Sequence, residues 1–461
     1  MTVQGLIEAV DDAVPLITLT TAGYAAWIVS QPARVATWLR RTGFEAEAGH
    51  WQVVPEVDGD IAMVVAGLGD TPDLWSAASL PSELPDDLCL ALDPDGEGAA
   101  DAVAEGWAAG CHRFTRYRKT KRGHASLVWP QNCDRSGVTA RAEAVCLGRD
   151  LVNTPAEDMG PADLEDAAEA IAQRAGATLS VIQGEKLLSE GYPAVHAVGR
   201  ASARPPRLLD LHWGRDDAPR VTLVGKGVCF DTGGHDLKNA AGMEKMKKDM
   251  GGAACALAVA RMVMDLELPV RLRVLIPAVE NALDGNAIKP ADIITTRKGI
   301  NIEIGDTDAE GRVILADALA AACEEEPELL IDFATLTGAA RVALGQDLAA
   351  CFAKKSEDAR DLCDAGMAVS DPLWPMPLAK AYLPRMASDL AEINTIADWA
   401  FADHIQAALF LEKFVGVDTS WIHIDTVCWN EAGRAGRPKG GEVQSARAVF
   451  ELLCRRYGTG A

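Results

Sequence analysis

The 461 residues contain no CxxC pair, no HExxH segment and no long uninterrupted apolar run, and each absence removes a class of protein. Eleven cysteines, an odd number, are scattered at positions such as Cys89, Cys146, Cys255 and Cys428. Without paired spacing they form neither a disulfide framework nor a zinc finger, and they read as small reduced core residues. Without HExxH the helix-borne zinc protease design is excluded. The longest apolar stretch, Ala253 to Met264, is interrupted by Arg261 and falls short of the roughly 20 residues that cross a bilayer. Met1-Thr2-Val3-Gln4-Gly5 lacks the basic and apolar regions of an export signal, so the expectation is a cytoplasmic protein with no membrane partner. Basic side chains are also short, 44 against 67 acidic, for a formal charge of −23. That field repels polyanions, so nucleic acid is not expected as a partner. The local exception, Arg116-Tyr117-Arg118-Lys119-Thr120-Lys121-Arg122, reads as a solvated strand end or a subunit contact.

What is present suits a globular α/β protein. Apolar residues make up 49% and charged residues 24%, enough apolar surface to offset chain entropy, and the length suggests two domains. In residues 1–135, strand-like runs at Ile61 to Ala66, Leu88 to Leu92 and Ala125 to Trp129 alternate with helical stretches at Gln31 to Arg41 and Ala99 to Ala109. No metal-ligand spacing occurs there, so this small α/β domain reads as a packing or assembly unit. Residues 136–160 read as a linking helix that stops at Asn153-Thr154-Pro155, and a second helix runs from Pro161 to Ala175. Residues 161–461 show strand runs at Arg207 to His212, Val221 to Val224, Val270 to Pro277, Leu329 to Phe333 and Trp421 to Val427 between amphipathic helices. The pattern predicts a larger α/β domain with a mainly parallel central sheet.

Three segments concentrate the chemistry. Gly225-Lys226-Gly227-Val228-Cys229-Phe230-Asp231-Thr232-Gly233-Gly234 follows a buried-strand pattern, which predicts Lys226 and Asp231 where that strand gives way to a glycine-rich loop; a structural turn explains it equally well. Asp249 precedes a helix of small residues, where an N-cap is the ordinary explanation. In Asp306-Thr307-Asp308-Ala309-Glu310-Gly311-Arg312, three acids within five residues repel one another unless solvated or holding cations. An extended backbone there would put Asp308 and Glu310 on one face, while a capped helix start is the alternative. Together Asp231, Asp249, Asp308 and Glu310 supply carboxylates for two divalent ions sharing a ligand, an arrangement suited to hydrolysis.

These segments, with Lys238, Lys248-Asp249-Met250-Gly251-Gly252, Arg149-Asp150-Leu151, Asn153-Thr154-Pro155, Ala334-Thr335-Leu336-Thr337-Gly338-Ala339, Ala407-Ala408-Leu409-Phe410-Leu411 and Gly436-Arg437-Pro438, resemble the leucyl aminopeptidase family. The resemblance covers nearly the whole C-terminal domain. It implies a metal-dependent aminopeptidase that removes the N-terminal residue of peptides with a metal-bridging water. Lys226, Asp231, Asp249 and Glu310 would hold the tighter ion, and Asp231, Asp308 and Glu310 the exchangeable one. Zinc or manganese is expected, with magnesium or cobalt as alternatives. By the same resemblance Lys238 stabilises the oxyanion and Arg312 holds a bicarbonate that acts as general base. Met246, Thr335, Leu336 and Gly338 bind substrate, and the assembly is a homo-hexamer.

The chain departs from the family pattern at Asp306, usually Asn, at His235, usually aliphatic, at Asn239, usually Pro, and at Asp403-His404-Ile405-Gln406, where small residues and Thr are usual. The resemblance puts Asp306, and the 403–406 segment, on the leaving-group side of the substrate. His235 reads as a residue beside the ligands and His423 as a hydrogen-bonded core residue. Two further functions stay open: a hydrolase of a specialised amide using the same two-metal site, and a catalytically silent structural homologue.

Overall fold

A computed structural model describes residues 3–119 and 123–458; residues 120–122 of the basic run lie outside them. The chain divides into two compact α/β units, one running up to Cys146 and adding Asn430–Gly440, the other comprising Leu147–Trp429 and the segment from Gly441 onward. In the first unit the strands are β1 (Leu6–Ile7), β2 (Val14–Thr20), β3 (Trp51–Pro55), β4 (Ile61–Gly69), β5 (Cys89–Leu92) and β6 (Ser126–Val128). They form one sheet in the order β1-β6-β5-β2-β4-β3, antiparallel only at β3. Its core packs Trp107, Leu16, Val64 and Leu90.

The second unit contributes β7 (Thr178–Gln183), β8 (Arg207–Trp213), β9 (Arg220–Gly225), β10 (Gly227–Asp231), β11 (Arg271–Asn281), β12 (Ile293–Thr295) and β13 (Asn301–Glu303). It continues with β14 (Leu329–Ala334), β15 (Ala349–Ala353), β16 (Leu373–Pro375), β17 (Ile393–Asn394) and β18 (Trp421–Asp425). The main sheet runs β16-β15-β18-β14-β9-β11-β8-β7, with β10 pairing β11 beyond β9. Strands β9, β10, β11, β14 and β18 are mutually parallel, so their C-terminal ends lie along one edge, the edge where α/β sheets place their sites. β14 is buried at every residue, as expected for a strand covered on both faces. The helices Gly251–Asp265 and Glu310–Cys323 are buried along most of their length, and their small residues let them lie close to the strands.

Two expectations are corrected here. Lys226 and Asp231 do not border a single loop, because Gly227–Asp231 is a strand of its own. It forms because β11 continues past Pro277 to Asn281 and offers a paired edge. Pro277 falls where β11 changes partner from β9 to β10, a seam that tolerates a residue without an N–H. The segment Asp308 to Glu310 is likewise not extended: Thr307–Ala309 is a 3-10 turn leading into the helix that begins at Glu310. The Asp306 carboxylate caps it, accepting from the Asp308 N–H at 2.7 Å, and the cap outcompetes the extended backbone.

Candidate metal centre

Each of the central side chains is delivered by the end of a different element. Lys226 is the single residue between β9 and β10, Asp231 closes β10, Asp249 lies in the 3-10 segment Met246–Met250, and Asp308 and Glu310 straddle the next helix start. Lys226 lies flat against that helix start because position 311 is glycine: a Cβ there would come within 2.7 Å of the lysine Cε and Nζ. The Lys226 side chain is 3% exposed, and its Nζ is 2.8 Å from both Asp249 Oδ2 and Glu310 Oε1, while donating to the Thr335 carbonyl at 3.0 Å. Lys238 Nζ stands 2.7 Å from Asp231 Oδ2 and also contacts Asp308 Oδ1. Asp249 does not act as a helix cap; its Oδ1 accepts from the Thr335 hydroxyl at 2.7 Å.

One oxygen from each of Asp231, Asp308 and Glu310 lies within 4.8 Å of the others. Glu310 is 1% exposed and its Oε2 accepts no hydrogen bond, while its Oε1, Asp249 Oδ2 and Asp308 Oδ1 have no partner beyond the lysine ammonium groups beside them. Buried carboxylate oxygens in this state are costly unless a cation compensates them. An all-oxygen set with one amine suits hard or borderline divalent ions, so the residues present fit the ions that the sequence implies. The Lys226 and Lys238 ammonium groups supply positive charge to the same carboxylates.

The charge states follow from that crowding. Burial and the Asp231 charge push Asp308 up to about 7, against the pull of Lys238, and burial with Asp231 pushes Glu310 well above the carboxylate range. Burial alone would lower Lys226, but Asp249, Glu310 and Asp231 outweigh it and raise the ammonium above its ordinary value. Lys238 is raised by the same balance, through Asp231 and Glu310. Burial raises Asp249 and the two lysines beside it, Lys226 and Lys248, bring it below the usual range.

The remaining predicted residues surround this cluster in different ways. Arg312 is buried, donates from Nη1 to the Thr395 carbonyl at 2.7 Å and from Nη2 to Asp403 Oδ1 at 2.9 Å. The Leu336 N–H is engaged by Asp425 Oδ1 at 3.0 Å. Gly338 opens the helix Gly338–Leu344, and a Cβ there would meet only open space. Met246 is half-buried. Asp306 turns back onto its own turn and neighbours Asp236, and burial raises its carboxyl. His235 is not among the clustered carboxylates: its Nδ1 lies 2.9 Å from the Ile288 carbonyl. His423 is fully buried with Nδ1 2.6 Å from Asp332 Oδ1, the hydrogen-bonded core histidine expected.

Three residues not singled out in the sequence also shape the site. Asn281, 2% exposed at the end of β11, donates from Nδ2 to Asp231 Oδ1 at 2.8 Å and to the Thr307 carbonyl at 3.1 Å. Asp425 ends β18 and accepts from the Leu336 and Thr337 N–H groups and the Thr337 hydroxyl. Asp236 accepts from the Thr307 N–H at 2.8 Å. Only the strand-end position of Asn281 and Asp425 could have signalled them.

Residues 146–450 match the cytosol aminopeptidase family, catalytic domain, and residues 14–130 match the M17 aminopeptidase N-terminal domain. A probable cytosol aminopeptidase of Leifsonia xyli subsp. xyli is 37% identical over 453 residues, covering 91% of this chain and 90% of the relative. The crystal structure of a cytosol aminopeptidase from Coxiella burnetii aligns with a TM-score of 0.93 at 43% identity, covering 98% of this chain and 99% of that one. The bottromycin maturation enzyme BotP, in complex with Mn, aligns with a TM-score of 0.87 at 33% identity, covering 96% and 99%.

Proposed function

The chain belongs to the cytosol aminopeptidase family and is a metal-dependent aminopeptidase; on that premise we propose that Lys226, Asp231, Asp249, Asp308 and Glu310 hold two divalent ions and that Lys238 and Arg312 carry the catalytic steps. The observation that carries the reading is the convergence of Asp231, Asp308 and Glu310 oxygens within 4.8 Å beside Lys226 and Asp249. When bound, two such ions supply a water ionised at neutral pH and polarise the scissile carbonyl. Zinc or manganese is the pair we assign, and the manganese complex of BotP supports manganese as one choice.

Asp231 and Glu310 would be shared between the two ions, each lying beside one of the lysines and the other carboxylates of the cluster. Lys226 would hold an ion only as the neutral amine, a form that two neighbouring dications would favour. Lys238, whose ammonium lies against Asp231 and Asp308, would donate to the substrate carbonyl oxygen and stabilise the charge that develops there. Arg312 would hold the anion that takes the proton of the attacking water, a part that the family resemblance gives to a bicarbonate. Met246, Thr335, the backbone at Leu336, Gly338 and Asp306 bind the substrate on either side of the scissile bond. A free α-amine on the peptide would add a ligand to the bound ions, which would restrict attack to N-termini.

The N-terminal residues 1–135 serve assembly, residues 136–160 link the units, and residues 161–461 form the catalytic domain of a cytoplasmic homo-hexamer. None of the helices of the described residues is long and apolar enough to cross a membrane. A second reading, hydrolysis of a specialised amide at the same site, draws support from the likeness to BotP. A panel of aminoacyl amides and their N-acetylated counterparts separates the possibilities. Cleavage of free-amine substrates alone, lost by on the order of 100-fold in Lys238→Ala, supports the aminopeptidase reading. Cleavage of acetylated substrates at equal rate would refute it.

A further inference from the structure

We propose that Asp403 is a positioning residue that fills the anion-binding face of Arg312, so that this chain's own carboxylate stands where an exogenous carbonate would sit; the inference rests on the reading of Arg312 given above. The guanidinium is buried, its side chain 4% exposed, and a buried cation needs a counter-charge. The contact is short, Nη2 to Asp403 Oδ1 at 2.9 Å, while Nη1 is spent on the Thr395 carbonyl. No other carboxylate forms an ion pair with Arg312 among the described residues, although Asp306 feels its charge. Asp403 opens the ten-residue helix Asp403–Glu412, where unpaired N–H groups further favour an anion.

A second observation points to a small guest at the same place. Arg312 Nε is buried and has no acceptor, so the guanidinium keeps one donor open beside the carboxylate it already holds. A water between the two would satisfy that donor. A tethered carboxylate also has the advantage of concentration: it competes at an effective level on the order of millimolar or more, without the entropy cost of capturing a free ion. The Asp403 side chain is 43% exposed, so its removal leaves an opening through which a dissolved anion can reach Arg312.

The test compares the metal-loaded wild-type protein with Asp403→Ala and with Asp403→Asn, which keeps shape and removes charge, in buffer stripped of carbon dioxide. The wild-type kcat is expected to change less than about twofold on adding bicarbonate, while each variant loses on the order of tenfold, the worth of a charge-assisted hydrogen bond. Asp403→Ala should then recover with bicarbonate or formate. Binding is read independently by 13C-bicarbonate NMR on zinc-loaded protein, with saturable line broadening expected for Asp403→Ala and none for the wild type. Saturable activation and bicarbonate binding in the wild type, or full activity of both variants in stripped buffer, would overturn the assignment of Asp403 while leaving the aminopeptidase intact. Absence of any metal-dependent aminoacyl-amide cleavage in the wild type would remove both.

Discussion

At Lys226 the ammonium and the carboxylates it touches hold one another in charge states that a metal bound by the proposed ligands would have to change. The lysine is raised by its acidic neighbours, Glu310 is raised well above the carboxylate range and Asp308 to about 7, so several of these groups carry protons that coordination displaces. Metal affinity should therefore fall as pH drops below about 7, and loading with zinc in weak buffer should release at least one proton per chain. Calorimetry in buffers of different ionisation enthalpy measures that release, and a value of zero would remove Lys226 from the ligand set. Asp231, Asp249, Asp308 and Glu310 stood out in the sequence as acids at strand ends and helix starts, where a turn or a cap was also open, and the family resemblance grouped them as ligands. Asn281 and Asp236 did not, since each acts on a partner distant in sequence. Asp403 stood out only as a departure from the family pattern, and the contact with Arg312 that explains it is tertiary.

Among the elements, β8 and β11 show how an antiparallel pair is held near the start of β11, at the end of that strand opposite Asn281. Arg273 donates from Nε and Nη2 to the two oxygens of Asp210 at 2.9 and 2.7 Å, diagonally across a register that pairs Arg273 with His212. Burial alone would raise Asp210, but the hydrogen bonds from Arg273 and His212 bring it down to about 2. Because the folded value is depressed, the stabilisation is present above the ordinary aspartate range and is lost as pH falls from about 4 towards 2. Asp210→Asn should lower the melting temperature at neutral pH, by an amount corresponding to about 2 kcal/mol, and the gap to wild type should close by pH 2. A gap that is unchanged by acid would show that the pair contributes through packing instead. Helix boundaries such as Pro161–Ala175 were readable because proline at the start and Gly176, in the left-handed conformation, at the end mark them locally. β10 escaped detection because a short strand containing an aspartate at its end depends on the edge offered by β11.

The whole molecule combines a small α/β unit with a larger one whose parallel strands end in the carboxylate cluster. Buried Arg149 closes the larger unit by clamping Glu442 through Nε and Nη2 at 2.9 and 2.8 Å, across 293 residues of sequence, which gives the Arg149-Asp150-Leu151 motif a structural reason. The fold class was legible from the alternation of strand and helix patterns, whereas the path of β11 past Pro277 required the assembled sheet. The most direct measurement is the rate of aminoacyl-amide hydrolysis as manganese or zinc is returned to metal-stripped protein. The rate should rise until two ions are bound per chain, with Asp308→Ala saturating at one ion and little activity; full activity in chelator, or saturation of the wild type at a single ion, would contradict the two-metal account.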